Sequence, residues 1–306
     1  MTEEKTEIIA MNVDMTCDQN CLSCERFFDC DNPVREKVYD RSRMARVRER
    51  MAHIKHKIAV LAGQGGVGKS LCASNIAAEL AQRGRSVGLL DNDYDGPCIP
   101  KMFGVRDKKL IMTKEGIRPV EGHLGVKVVS MGLITPEEES LTWFHELRRN
   151  ATEEFFGHVN FGDLDYLILD LPPGTSSDAI NMMLYLPDLD GVVAVTMPMM
   201  ISQIVVKKAI LLTQKAKLPV LGVIENMSGF ACPKCGDEFD ILLGGGGEML
   251  AKETNVPFLG KIPIDPVLSK GSDEGKPFVM THPDSAAGKA MKRIVDQLEK
   301  AVGWRS

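Results

Sequence analysis

The stretch Leu61–Ser74, LAGQGGVGKSLCAS, constrains this chain more than any other. It contains Gly63-x-x-x-x-Gly68-Lys69-Ser70, a complete phosphate-binding pattern. The apolar run KIAVLA precedes it and the helical sequence KSLCASNIAAELAQRG follows. The pattern requires this context. A strand delivers the chain to a glycine-rich turn, the turn's amides face phosphate oxygens, and the next helix adds the positive end of its dipole. In this reading Gly63, Gln64, Gly65, Gly66, Val67, Gly68, Lys69, Ser70 and Leu71 cradle ATP. Lys69 reaches the β- and γ-phosphates, and Ser70 places its hydroxyl on Mg²⁺.

Beyond this loop, short apolar runs alternate with helical segments. KIAVLA, SVGLLD, YLILDL, GVVAVT, VLGVIEN and VPFLGKI read as buried strands, and ISQIVVKKAILLTQKA reads as one of the helices between them. Strand–helix–strand alternation predicts an α/β fold: a mainly parallel sheet with helices on both faces, joined by right-handed crossovers. The run IRPVEGHLGVKVVSMG reads as a local hairpin addition. A last helix, from about Pro283 to Val302, carries Met291, Ile294, Val295, Leu298 and Val302 on one face. The chain divides into an acidic, cysteine-rich extension (1–33), a basic amphipathic linker helix (34–56) and a nucleotide-binding domain (57–306). In the basic segment Met44, Val47, Met51, Ile54 and Ile58 recur at helical spacing, a stripe expected to pack on the body while the charges stay in water.

Two loops at strand ends carry carboxylates. LLDNDYDGP sets Asp91 and Asp93 beyond one strand, and LILDLPPGTSSD sets Asp170 beyond another. Carboxylates there would hold Mg²⁺ through its waters or orient an attacking water.

The eight cysteines supply a second chemistry. The N-terminal start is polar and acidic, unlike a signal peptide, and no apolar run is long enough to span a bilayer, which points to the cytoplasm. In that reducing setting cysteines read as metal ligands before disulfides. Cys17, Cys21, Cys24 and Cys30, spaced C-x3-C-x2-C-x5-C, suit one metal centre, either zinc or a cubane iron–sulfur cluster. Cys232 and Cys235 form a lone C-x-x-C, half a ligand set, which a symmetric dimer would complete across its axis. Cys72 and Cys98 read as packed thiols.

Taken in order, GGVGKS, LLDNDYDGPCIP, DYLILDLPPGTSSD, GVIENMSGFACPKCG with GGGGEMLA, and VPFLGKIPIDP closely resemble the Mrp/ApbC family of P-loop ATPases, iron–sulfur cluster carriers or scaffolds of the MinD/ParA class. The N-terminal cysteines further resemble those of the longer cytosolic scaffold members. The resemblance implies an ATP-binding homodimer that passes clusters to apoprotein clients. A [4Fe–4S] cluster would be shared by Cys232 and Cys235 of each chain, and a second held on Cys17, Cys21, Cys24 and Cys30. It assigns Lys69, Asp93 and Asp170 to catalysis, Asp93 and Asp170 as switch carboxylates, and Asn226 to the adenine edge beside the IPIDP loop.

Gln64 departs from the family's deviant Walker A loop, which has lysine at this position. Glutamine keeps a donor and loses the charge, which predicts slow or partner-dependent hydrolysis. A net charge of −5 and 6% aromatic residues give no global reason to expect nucleic acid, and membrane is not an expected partner either. Two alternatives share the P-loop: a zinc-stabilised ATP switch without cluster transfer, and a MinD/ParA-like positioning ATPase. The second leaves six spaced cysteines without a role.

Overall fold

A computed structural model describes residues 42–94, 96–134, 152, 155–174, 177–231, 238–242, 245–265, 271 and 274–304. The expected ligands Cys17, Cys21, Cys24, Cys30, Cys232 and Cys235 lie outside the described residues.

Helix α1 (Ser42–Met51) buries Val47 and Met51 and leaves Arg46 and Arg48 exposed. It is shorter than the 34–56 reading among the described residues, because β1 (Ile54–Ala62) begins where the stripe was expected to continue. Ile54 and Ile58 are thus strand residues, and their helical spacing is coincidental. Lys57 joins the two elements: its buried ammonium donates to the carbonyls of Met51 (3.4 Å) and Ile54 (2.9 Å). Burial lowers its pKa, opposed by Asp188 and Asp190.

The chain then runs through α2 (Lys69–Gln82), β2 (Val87–Asp91), the ribbon β3 (Ile111–Thr113) and β4 (Gly116–Arg118), β5 (Val120–Glu121), β6 (Lys127–Ser130) and β7 (Leu164–Asp170). It continues through α3 (Ser177–Tyr185), β8 (Gly191–Thr196), α4 (Met200–Lys215), β9 (Val220–Ala231), β10 (Glu238–Phe239), α5 (Gly246–Thr254), β11 (Phe258–Ile264) and α6 (Ala286–Ala301). The sheet order is β10-β9-β8-β1-β7-β2-β6-β5, with β11 also paired to β9. All pairs among β1, β2, β6, β7, β8, β9 and β11 are parallel, and β5 and β10 add antiparallel edges. Continuous burial of Ile58–Ala62, Val87–Asp91 and Gly191–Thr196 is what a sheet covered on both faces demands.

The six expected strands are present. The expected hairpin addition is only partly so: β5 and β6 do pair antiparallel, but β6 also lies parallel to β2 in the main sheet. KVVS is too short to announce a core strand by its pattern. Helix α6 packs Met291, Ile294, Val295 and Leu298 into the core with α2. Arg83 ties the two helices by pairing with Glu79 (3.0 Å), Asp296 (2.7 Å) and Glu299 (2.9 Å). No described helix is long and apolar enough to cross a membrane.

Candidate functional site

Four parallel strands end at one rim, as ligand-binding residues do in open α/β sheets. β1 delivers the P-loop, β2 delivers Asp91 and Asp93, β7 delivers Asp170 and β9 delivers Asn226.

The P-loop is shaped by close packing. Gly63 lies against the α4 backbone at Val205 and Val206, where a Cβ would collide at 2.5–2.7 Å. Gly68 has φ +83° and abuts the Asn226 amide, so a side chain is excluded by both conformation and space. The Asn226 Nδ2 donates to the Val67 carbonyl at 2.9 Å. Asn226 is buried, bracing the loop from beneath. Gln64 is half-buried, and Gly65 and Gly66 are exposed. Among the described residues, none of the amides of Gln64 to Gly68 donates a hydrogen bond within the chain.

Lys69 opens α2 and is buried. Its ammonium donates to Asp170 Oδ1 at 2.6 Å and to the Ser70 hydroxyl at 3.3 Å. The Asp170 Oδ2 is buried without a hydrogen-bond partner. Asp91 pairs in register with Asp170 on the adjacent strand and is also buried. Two buried carboxylates thus share one ammonium, which favours a proton on the pair. Burial first, and then the Asp170 charge, push Asp91 up to about 8, against Lys69, Ser130 and the Asp93 amide. Burial likewise raises Asp170, against Lys69 and Ser70.

Asp91 has a second task. It accepts from the Asp93 amide (3.1 Å), the Ile99 amide (3.3 Å) and the Ser130 hydroxyl (3.0 Å), fixing both ends of the loop after β2. Asp93 is half-exposed within that loop and accepts from the Gly96 amide at 3.2 Å. Cys72 is buried, with its thiol pushed up to about 12 by burial. Cys98 is exposed, which corrects its reading as a packed thiol; it donates to the Gly96 carbonyl at 3.1 Å.

The site fits a magnesium nucleotide. Phosphate would accept from the free amides and draw Lys69 from Asp170. A hydrated cation would meet Ser70, Asp93 and the unpaired Asp170 oxygen.

β9 carries a bulge that no local pattern announces. Asn226 opposes Ile262 and Phe230 opposes Ile264, so β9 spends two extra residues between these pairs. There Met227 has φ 57° and Gly229 φ 77°; for methionine this is a costly left-handed conformation. The buried Glu225 holds the segment. Its Oε1 accepts from Ser228 at 2.5 Å and its Oε2 from the Gly247 amide at the start of α5. The bulge separates the P-loop brace from the stem of a hairpin, where Phe230 pairs with Phe239 and Ala231 with Glu238. Cys232 and Cys235 lie in the chain between the stem strands. A lone Glu in the apolar run VLGVIEN was the available signal for Glu225; nothing marked Ser130.

Residues 53–299 match a family model described as ParA, NUBPL iron-transfer P-loop NTPase. The chain is 42% identical over 258 residues to an iron–sulfur cluster carrier protein of Saccharolobus solfataricus, covering 84% of this chain and 87% of the relative. It is 40% identical to another of that name from Methanocaldococcus jannaschii, covering 94% and 97%. Among solved structures, a nucleotide-binding protein of Archaeoglobus fulgidus in complex with ADP has a TM-score of 0.68 at 37% identity, covering 76% of this chain and 92% of that one. MinD of Pyrococcus horikoshii shares the fold, with a TM-score of 0.60 at 24% identity over 81% of this chain and 98% of that one.

Proposed function

The chain belongs to the NUBPL-type iron-transfer P-loop NTPases, and from that premise we propose that it carries [4Fe–4S] clusters to apoproteins under the control of bound ATP. Iron–sulfur carriage by its relatives supports the cargo, and the ADP complex of the Archaeoglobus fulgidus protein supports the nucleotide. The observation that carries the proposal is the single strand β9. It braces the P-loop through Asn226 and, past its bulge, pairs with β10, the strand that follows Cys232 and Cys235 in the sequence.

Cys232 and Cys235 of two chains would share one cluster, and Cys17, Cys21, Cys24 and Cys30 would hold a second. Exposed Met200 (74%), Ile201 (68%) and Ile204 (52%) support docking of a second copy. They lie on the first turns of α4, whose Val205–Val206 backbone backs the P-loop. Lys69 and Ser70 hold phosphate and Mg²⁺; Asp93 and Asp170 orient water. Asp91 acts by fixing the loop that carries Asp93. In this structure one Asn226 Nδ2 hydrogen goes to the Val67 carbonyl, which leaves the second N–H and Oδ1 for an adenine contact. Gln64 leaves the phosphoryl group without the cation that relatives of the deviant Walker A type place there, and hydrolysis is correspondingly slow.

The test is cluster delivery. Protein loaded with iron and sulfide should activate an apo-[4Fe–4S] enzyme, faster with ATP than without. Cys232→Ser/Cys235→Ser should abolish delivery. Delivery that survives this double substitution contradicts the proposal.

A further inference from the structure

At the same rim, on the far side of the β9 bulge, lies a cavity of about 600 Å³ that shares only Pro263, of the IPIDP loop, with the expected nucleotide contacts. Its walls are Ser228, Gly229 and Phe230 of β9, Phe239 and Asp240 at β10, Lys261 and Pro263 of β11, and the first turns of α6. Lys69, Ser70 and Asn226 do not line it. The volume is in the range that takes a small molecule.

Its charge is lopsided. Among the described residues, Lys261, Lys289 and Arg293 line it against the single carboxylate of Asp240. None of the three cations has an ion-pair partner among the described residues, whereas farther along α6 Asp296 and Glu299 are both paired. Lys289 and Arg293 stand one helical turn apart and so flank the same side of the cavity. The cavity also meets the α6 N-terminus at Ala286, where the helix dipole adds positive potential. Phe230, the 53%-exposed Phe239 and Pro263 supply an apolar wall. Concentrated positive charge beside aromatic surface selects an anion with a carbon body.

We propose that this cavity is a second ligand site, distinct from the nucleotide site, that binds a small organic anion carrying two or more carboxylate or phosphate groups. The inference is independent of the cluster reading. An occupant would sit on the bulge and beside the paired strands β9 and β10, between which Cys232 and Cys235 fall in the sequence.

Propane-1,2,3-tricarboxylate, a poor iron chelator, and fructose 1,6-bisphosphate serve as the carboxylate and phosphate probes. Each is titrated calorimetrically into the full-length protein, with and without saturating ADP. The comparison proteins are Lys289→Gln/Arg293→Gln and a control, Lys252→Gln/Lys300→Gln, which removes the same charge elsewhere. At least one probe should bind the ADP-saturated parent and the control equally, and the cavity variant roughly tenfold or more weakly; the stronger probe identifies the anion class. Equal weakening in both variants would reduce the effect to net charge and overturn the proposal. So would undiminished binding to the cavity variant, or no binding by either probe. Binding lost whenever ADP is present would return the cavity to the nucleotide site and overturn it as well.

Discussion

Lys69 Nζ lies 2.6 Å from Asp170 Oδ1, a buried ion pair that joins the first residue of the phosphate-binding helix to the end of strand β7. The lysine proposed to grip phosphate is thus held by a carboxylate beside it, and a phosphate there would have to compete for it.

Lys69→Ala removes the phosphate grip and strands Asp170. Losing one partner of a buried charge pair costs about 2–5 kcal/mol, so ADP affinity should fall roughly thirtyfold or more. The variant protein should also unfold at lower urea, with a smaller loss at lower pH, where protonation removes the stranded charge. Calorimetry and urea titration at two pH values measure both effects.

The Asp91 carboxyl gives the sign of a pH effect. Its ordinary value of 3.8 rises to about 8 on folding, so the folded chain holds a proton that the unfolded chain has released. The stabilisation is therefore fully present below the unfolded value and is lost as pH rises through about 8. Nucleotide-free protein should lose on the order of a few kcal/mol of stability between about pH 5 and pH 8. Asp91→Asn should flatten that slope, a change that chemical denaturation across the range would register.

Gln64→Lys should restore a cation beside the phosphoryl group and raise ATP turnover by roughly tenfold or more. That is a small part of the 10³–10⁵ such contacts reach elsewhere. An unchanged turnover number would show that the half-buried Gln64 does not limit hydrolysis.

The β9 bulge predicts opposite effects from neighbouring substitutions. Asn226→Ala strands the Val67 carbonyl and should cost about 1–3 kcal/mol, with weaker ADP binding. Met227→Gly relaxes a left-handed residue and should stabilise the fold by about 1 kcal/mol. It should also reduce the difference in cluster delivery with and without ATP, as thermal melts and delivery assays on the same protein would reveal.

Much of this was legible in the sequence because parallel strands and the P-loop have strong local signatures. KIAVLA, YLILDL and GVVAVT are apolar along their whole length, as two-sided burial requires, and GGVGKS sits where strand gives way to helix. β6 escaped because four residues cannot display a period, and the basic helix was drawn too long because Ile54 and Ile58 continue its stripe by chance. Asp91 was legible as a site residue, but its bond to Ser130 depends on a contact with a segment 39 residues away. The Met227 bulge is set by pairing with β11, more than thirty residues away, and has no local signature.

Iron, acid-labile sulfide and zinc per chain, measured on protein purified and reconstituted without oxygen, test the central claim most directly. One private cluster and one shared between two chains predict about six irons per chain with matching sulfide. Cys232→Ser/Cys235→Ser should leave about four. One zinc per chain and no sulfide would contradict the carrier reading and leave a zinc-stabilised ATP switch in its place.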